Sequence, residues 1–568
     1  STLRVTAATE DGIVMALEHT SLPVYGVQFH PESIGAEWGR RIFENFARIT
    51  RERARGPRAP RSIRAPSRPS RKAQERASPR YRIFWSKMDF LPHSWLCFRE
   101  VFAAKRNAYW LDSSLVARGL SRFSFMGDGE GPLSHLLRFD VQSRTLRVTA
   151  NEGTRTLQCG FFEYVKERLA EMEIRDGGLP FDFHGGYVGY VGYEMKKECG
   201  AQSPHDSSVP DAQMLFADRF LAFDHQDGHT YLVCVDTPEN EARAHAWLAQ
   251  MKAELTRLAQ RAHEAPLFPS TPGRTRAAFT PAFRLRHARS AYLEKIEHCR
   301  RAISQGETYE VCLTNKLISS VQPDPLKLYE ELRSRNPAPY SAYLKYANLQ
   351  ILSSSPERFL KVDAGRIAES KPIKGTRRRG KTAAEDAQLR RDLAQSEKDR
   401  SENLMIVDLV RNDLGRVCDI GSVRVPKLMD IEQYATVHQM VSTVSGKLRE
   451  DCGAVDAFQA AFPGGSMTGA PKIRTMEIID ALEKEARGVY SGAIGYFSLS
   501  GTCDFNVVIR TIQVSESGLT IGVGGAIIAM SDTESEFEEI LLKAEAPLES
   551  VRAAMESPVA WEHAHIFA

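Results

Sequence analysis

SEKDRSENLMIVDLVRNDLGRV, residues 396–417, carries apolar side chains at Leu404, Val407 and Leu409 and closes on Gly415, which predicts a helix ended by a glycine turn. Working outward, the helical run ARSAYLEKIEHCRRAISQGE (288–307) leads into the strand-like TYEVCLTNKL (308–317). Further upstream, YRIFW (81–85) and TYLVCVDT (230–237) read as strands, and ENEARAHAWLAQMKAELTRLAQRAHE (239–264) reads as a helix. Helices and strands thus alternate along the chain, without a short-period repeat. The fold class expected is α+β, with helices and sheets packed in layers.

At 568 residues the chain exceeds what one core supports. Residues 51–80 hold eleven Lys/Arg against two Glu, a local charge of +9 in a chain of net charge +3, so the remainder is acidic. Rich in Pro, Arg, Ser and Ala, this stretch is expected to be a disordered linker. It has no interleaved aromatics and adjoins no nucleic-acid fold, so no nucleic-acid partner is expected. A second Pro-rich break at 264–283 divides the body. The expected parts are 1–50, the linker 51–80, 81–263, the connection 264–283, 284–556 and a tail, 557–568. No apolar run nears the roughly 18 residues of a membrane span, and the chain opens without a secretory signal pattern. The nine cysteines are scattered, with no CxxC pair and no zinc spacing. A cytoplasmic protein with no membrane partner is expected.

ESKPIKGTRRRG (369–380) places Lys374 among Lys371, Arg377, Arg378 and Arg379. Such a segment is either a solvated basic turn or a setting in which neighbouring cations lower the pKa of one amine and make it a nucleophile. Glu402 enters the helix of 396–417 as a carboxylate. In SDTESEFEEILLKAEAPLESV (531–551), Phe537, Ile540, Leu541, Ala544, Leu548 and Val551 form an apolar stripe, while Glu536, Glu539 and Lys543 line a neighbouring face. Carboxylates from two helices suit Mg²⁺, although solvated helix faces give the same pattern. GVGGAIIAMSD (522–532) and FPGGSMTGAPK (462–472) read as Gly-rich loops whose amides can hold an anion, and Arg510 in VVIRT can clamp a carboxylate. Together they point to a small, multiply anionic substrate.

SSSPERF, PIKGTRRRG, EKDRSENLMIVDLVRNDLGRV, VHQMVSTVSG, PGGSMTGAPK, RGVYSGAIGYF, VIRT and GGAIIAMSD occur in an order that resembles the chorismate-utilising enzymes, the anthranilate synthase component I superfamily. The match spans nearly all of 284–556, and it implies a layered α/β sandwich. YWLDSSLVARGLSRFSFMG (109–127) is similar to the family's N-terminal region, which binds regulatory tryptophan in some members. Members that aminate C2 of chorismate and release pyruvate carry Ala where Lys374 stands. The lysine form marks the branch that aminates C4 and keeps the enolpyruvyl ether, giving a precursor of p-aminobenzoate.

In that branch the resemblance implies that Lys374 adds to C2 while the C4 hydroxyl departs, and that ammonia then attacks C4 and expels the lysine. Glu357 corresponds to the general acid and His438 to a catalytic histidine beside the ring. Glu402 and Glu539 correspond to Mg²⁺ ligands, with Glu536 nearby. Arg510, Tyr490, Lys543, Thr376 and the amides around Gly524 and Gly525 correspond to substrate-binding positions. Family members that activate water use a lysine where Glu310 stands here, so that chemistry is not expected.

VYGVQFHPES (24–33) resembles the closing segment of class I glutamine amidotransferases, in which His30 and Glu32 would complete a Cys-His-Glu triad. No cysteine precedes Cys97, and none lies in a Gly-x-Cys-x-Gly elbow. The expected partners are therefore chorismate and ammonia, the ammonia coming from glutamine through an amidotransferase domain or subunit.

Overall fold

The computed structural model describes residues 2–10, 12–54, 81–116, 121–172, 174, 177–264, 282–434, 437–556 and 560–561. Most of the expected linker and Pro-rich connection, and all of the tail but residues 560–561, lie outside the described residues. Residues 51–54 are instead the last turn of the helix Gly39–Ala54.

The chain divides into two units, Ser1–Arg76 and Ala77–Ala568. The first contains a three-stranded antiparallel sheet, Leu3–Ala8, Val14–His19 and Tyr25–Val27, followed by that helix.

Among the described residues, the second unit is built on two large sheets, of 12 and 13 strands. Strands from both sides of residues 264–283 pair within each sheet: Ala108–Asp112 with Tyr340–Tyr346 in one, and Gly186–Val191 with Ala493–Ser498 in the other. The two stretches on either side of that connection therefore build one compact body.

The strand sequences explain the layering. In RFLAFD (219–224), Leu221 and Phe223 join a core shared with the helices Glu241–Glu264, Arg289–Ser304 and Thr533–Met555. The alternate residues Phe220 and Ala222 join a core that also takes Val188, Tyr190 and Leu215 from the other sheet. Strands buried on both faces need apolar side chains at successive positions, which is why this strand is a continuous apolar run. Behind the second sheet, Phe161, Ile406, Val407 and Phe458 of three further helices close a third core. The result is a helix–sheet–sheet–helix sandwich, as the α+β expectation required.

The helix Glu397–Gly415 is capped by Ser396, whose hydroxyl accepts from the Asp399 amide, and it buries Ile406, Val407, Leu409, Val410 and Leu414 against the sheet. One stretch departs from expectation. GVGGAI is not a loop but the end of the strand Gly518–Ile527, paired with Glu310–Ser319 so that Gly524 faces Thr314 and Gly525 faces Leu313. Glycine is required there by close approach: a Cβ at Gly522 would lie 2.1 Å from the Tyr490 ring, and one at Gly524 would lie 2.9 Å from the Leu313 carbonyl.

A buried ion pair fastens the sheet to the segments around it. Arg487 donates to both carboxylate oxygens of Glu483 at 2.7 and 2.8 Å and to the carbonyls of Met467 and Cys312 at 2.7 Å, while Glu483 also accepts from the Thr314 amide. Arg487→Met leaves a carboxylate buried without its cation, and it is expected to lower the unfolding free energy by about 3–5 kcal/mol. Denaturant titration checks this; a loss below about 1 kcal/mol would mean that the pair is solvated.

Candidate active site

The chain passes from the 13-stranded to the 12-stranded sheet between Leu349–Ser355 and Arg358–Val362, and it returns between Cys503–Val507 and Thr511–Ser515. The two crossings are bonded side by side: the Val507 amide donates to the Glu357 carbonyl at 3.0 Å, and the Ser355 hydroxyl donates to the Val507 carbonyl at 2.6 Å. Glu357 lies on the first crossing and Arg510 on the second. Arg510 takes a φ of +50°, a left-handed conformation that non-glycine residues adopt rarely and that clusters at functional sites.

Glu357 is buried, and burial pushes its carboxyl up to about 7, against the Ser466 hydroxyl bond and the Lys374 charge, which favour ionisation. Ser466 comes from the FPGGSM segment, here a single 3₁₀ turn, Gly465–Met467, wrapped over the carboxylate. Arg510 loses some preference for its charge through burial, and the Glu357 carboxylate opposes that loss.

Lys374 lies in the strand Ile373–Arg378, at the edge of the 12-stranded sheet. Gly375, at φ +79°, introduces an irregularity in the pairing with Val437–Lys447. Lys374 is buried, while Thr376 two residues on is exposed. The Lys374 Nζ donates to Glu310 Oε1 at 2.8 Å and lies 3.5 Å from Glu402 Oε2. Glu310 belongs to the other sheet and is fully buried, and its Oε2 has no partner among the described residues.

The expected electrostatics are corrected here. Burial acts to lower the Lys374 pKa, but the Glu310 and Glu402 carboxylates outweigh it and hold the amine well above its ordinary value. The nearby cations that were expected to lower it are engaged elsewhere: Arg377 with Asp399, Arg378 with Glu385 and Arg379 with Asp386.

Glu402 is buried, and its carboxyl is pushed up to about 7, first by burial, then by Glu310 and Glu539 against Lys374 and Lys398. Lys398, one helical turn before Glu402, donates to Glu536 Oε1 at 2.7 Å and stands 4.0 Å from Glu402 Oε1. Glu536 also accepts from the Ser531 hydroxyl at 2.6 Å, and its Oε2 is buried without a partner among the described residues. Gly525 leaves room for these carboxylates, since a Cβ there would sit 3.3 Å from Glu536 Oε2 and 4.0 Å from Glu539 Oε1. Lys543 donates to the Gly524 carbonyl at 2.9 Å and pairs with Glu539 at 2.7 Å. That pair holds the Glu539 carboxyl below its usual range despite burial.

The structure thus brings Lys374, Glu402, Glu536, Glu539, Lys543, Gly524 and Gly525 around the end of one strand pair, with Tyr490 packed on Gly522 and Glu357 electrostatically coupled to Lys374 and Arg510. His438 bonds elsewhere: its Nε2 is 2.9 Å from Asp386 Oδ1, and its Nδ1 is buried without a partner among the described residues. In the first unit, His30 Nδ1 is 2.7 Å from Glu32 Oε1. Sequence reasoning missed Lys398 and Ser466 and assigned no role to Glu310. The spacing of Lys398 and Glu402 on one helix face was a usable signal for the first; no local pattern marks the other two.

A cavity of about 800 Å³ lies apart from this cluster and is lined by Asp112, Ser113, Arg122, Tyr340, Arg358 and Asp504, among others. Among the described residues no helix is long and apolar enough to cross a membrane.

Residues 134–549 match the model of the chorismate binding enzymes, and residues 1–49 match that of class-I glutamine amidotransferases. The chain belongs to the chorismate-binding enzyme family and carries an amidotransferase segment ahead of that domain. It is 49% identical to the aminodeoxychorismate synthase of Streptomyces pristinaespiralis over 97% of this chain and 78% of that protein. It is 34% identical to anthranilate synthase component 1 of Streptomyces coelicolor, over 80% and 86% of the two chains. Among solved structures, anthranilate synthase component I of Streptococcus pneumoniae superposes with a TM-score of 0.63 at 28% identity, covering 76% of this chain and 93% of that one.

Proposed function

We propose that this chain is the chorismate-aminating part of an aminodeoxychorismate synthase, converting chorismate and ammonia to 4-amino-4-deoxychorismate. The observation that carries this reading is a buried primary amine, Lys374, bonded to Glu310 and 3.5 Å from Glu402, beside the strand whose Gly524 carbonyl accepts from Lys543. The high identity to an aminodeoxychorismate synthase, against lower identity to an anthranilate synthase, supports C4 rather than C2 as the aminated carbon.

In this reading Arg510, Lys543 and the amides near Gly524 and Gly525 hold the substrate carboxylates, with the Tyr490 ring against Gly522 shaping the wall. Lys374 attacks C2, and the double bond shifts as the C4 hydroxyl leaves. Glu357, its carboxyl held protonated near neutrality, gives that hydroxyl its proton. Ammonia bonds to C4, the C2–N bond breaks toward the lysine, and the new ammonium returns a proton to Glu357. Atoms balance as chorismate plus ammonia to aminodeoxychorismate plus water. His438 we assign to positioning, through its bond to Asp386, which Arg379 also holds. Thr376, exposed on the same strand, could meet substrate only at the rim.

Glu402, Glu536 and Glu539 are hard oxygen donors on two neighbouring helices, and the Glu536 Oε2, without a partner among the described residues, offers a buried oxygen. Among the described residues no three acidic, histidine or cysteine groups draw together tightly enough to hold an ion unaided. Mg²⁺ usually takes one or two carboxylates and completes its shell with water and substrate, so Glu402 and Glu539 would suffice as its protein ligands. Bound there, the ion would neutralise a substrate carboxylate. His30 and Glu32 fit the end of an amidotransferase triad that delivers ammonia from glutamine.

Incubation with chorismate, Mg²⁺ and an ammonium salt is expected to give a product retaining the enolpyruvyl group. Lys374→Ala is expected to reduce its formation by at least about 100-fold. Release of pyruvate with ortho-aminobenzoate, or full activity in Lys374→Ala, would contradict the reading. The pH dependence has a definite sign. Because the Glu357 carboxyl must be protonated, its contribution to the first half-reaction, read without ammonia as the rate of the unmodified protein over that of Glu357→Gln, should fall as pH rises through about 7. Above that point the ratio should fall by close to tenfold per pH unit; a ratio that does not change with pH would remove Glu357 as the acid.

A further inference from the structure

The reading of Lys374 as the nucleophile leaves a chemical problem at the same atom. An attacking amine must be neutral, yet this nitrogen donates at 2.8 Å to the Glu310 carboxylate, a direct contact that favours the ammonium form. The cations that could repel a proton from it point away into their own ion pairs. A proton acceptor in contact with the nitrogen is therefore needed, and it must act inside a buried site.

Two carboxylates are near enough to consider. Glu402 Oε2, at 3.5 Å, is at the limit of hydrogen bonding, and the other oxygen of that residue faces Lys398. Glu310 Oε1 is at 2.8 Å in a direct hydrogen bond. Glu310 is fully buried, and its Oε2 accepts from no donor among the described residues. A buried carboxylate oxygen without a donor is unfavourable, and where one is retained it calls for an explanation. A carboxylate that serves only to anchor an ammonium would gain by bonding both of its oxygens. One that must become a carboxylic acid during turnover loses nothing by leaving an oxygen free to carry the proton.

We infer that Glu310 is the catalytic base that takes the proton from Lys374 as its nitrogen bonds to the ring, and returns it when the lysine is expelled. This inference rests on the proposed nucleophilic role of Lys374. The ammonium and carboxylate first become amine and carboxylic acid. The amine's electron pair forms the C2–N bond, the ring double bond shifts, and the C4–O pair leaves as water with the proton from Glu357. When ammonia has bonded to C4, the C2–N pair returns to the lysine nitrogen, which then recovers its proton from Glu310. No oxidant or further reactant is needed, and each carboxyl group ends as it began.

The test is adduct formation in the full chain with chorismate and Mg²⁺ and without ammonia, quenched at intervals and read by the mass of the peptide that contains Lys374. Glu310→Gln keeps the shape but cannot accept the proton. It is expected to slow adduct formation by about 100- to 10,000-fold while chorismate affinity stays within about threefold, a split that a merely structural role would not produce. Adduct formation at the unmodified rate, or an equal loss of affinity and rate, would overturn the inference. Should Glu310→Gln fail to fold, Glu310→Asp carries the test by withdrawing the carboxylate from the nitrogen: slower adduct formation at unchanged affinity supports the role, and an unchanged rate overturns it. If the unmodified protein forms no adduct and Lys374→Ala still aminates C4, the nucleophile reading itself fails. If the unmodified adduct forms and Glu310→Gln matches its rate, only the inference about Glu310 falls.

Discussion

A lysine at the edge of one sheet bonded to a glutamate of another is the contact on which this site depends. Lys374 and Glu310 are both buried, and neither charge can be left there alone, because several kcal/mol of hydration is lost per ion and only a close partner offsets it. The pair therefore ties the lysine strand at the edge of one sheet to a strand of the other. It also brings Glu402, on a helix packed behind the lysine strand, within 3.5 Å of the same nitrogen. The contact that ties these two strands also holds the amine.

Around that pair, the site is shaped by the absence of side chains as much as by their presence. Gly522 admits the Tyr490 ring, Gly525 admits the Glu536 and Glu539 carboxylates, and Gly375 accepts a positive φ with Asp399 and Leu393 within 2.9 Å of where its Cβ would stand. Strain is carried at Arg510, held left-handed at the second crossing beside Glu357.

Much of the architecture could be read from periodicity. The helices of 288–307, 396–417 and 531–551 stand close to where their apolar spacing placed them, and the layered α+β class followed from their alternation with strands. The glycine segment of 522–527 was misjudged as a loop, because glycines in a strand give the same local signal as glycines in a turn. The charge environment of Lys374 was misjudged for a different reason. Its sequence neighbours are cations, but its spatial neighbours are carboxylates brought in from 64 residues upstream and 28 residues downstream. Sequence adjacency on a strand sends alternate side chains to opposite faces, so a basic run says little about the field at any one amine. Glu310 could be noticed as a departure from the family pattern, but its partner was visible only in three dimensions.

The most direct measurement is a double-mutant cycle on stability between positions 310 and 374, using Glu310→Gln, Lys374→Met and the two combined, each followed by denaturant unfolding. A buried, mutually dependent pair predicts that each single substitution costs about 3–5 kcal/mol and that the double variant costs far less than their sum. Additive losses, within about 0.5 kcal/mol, would mean that the two charges do not sense each other and that the site is not organised by their contact.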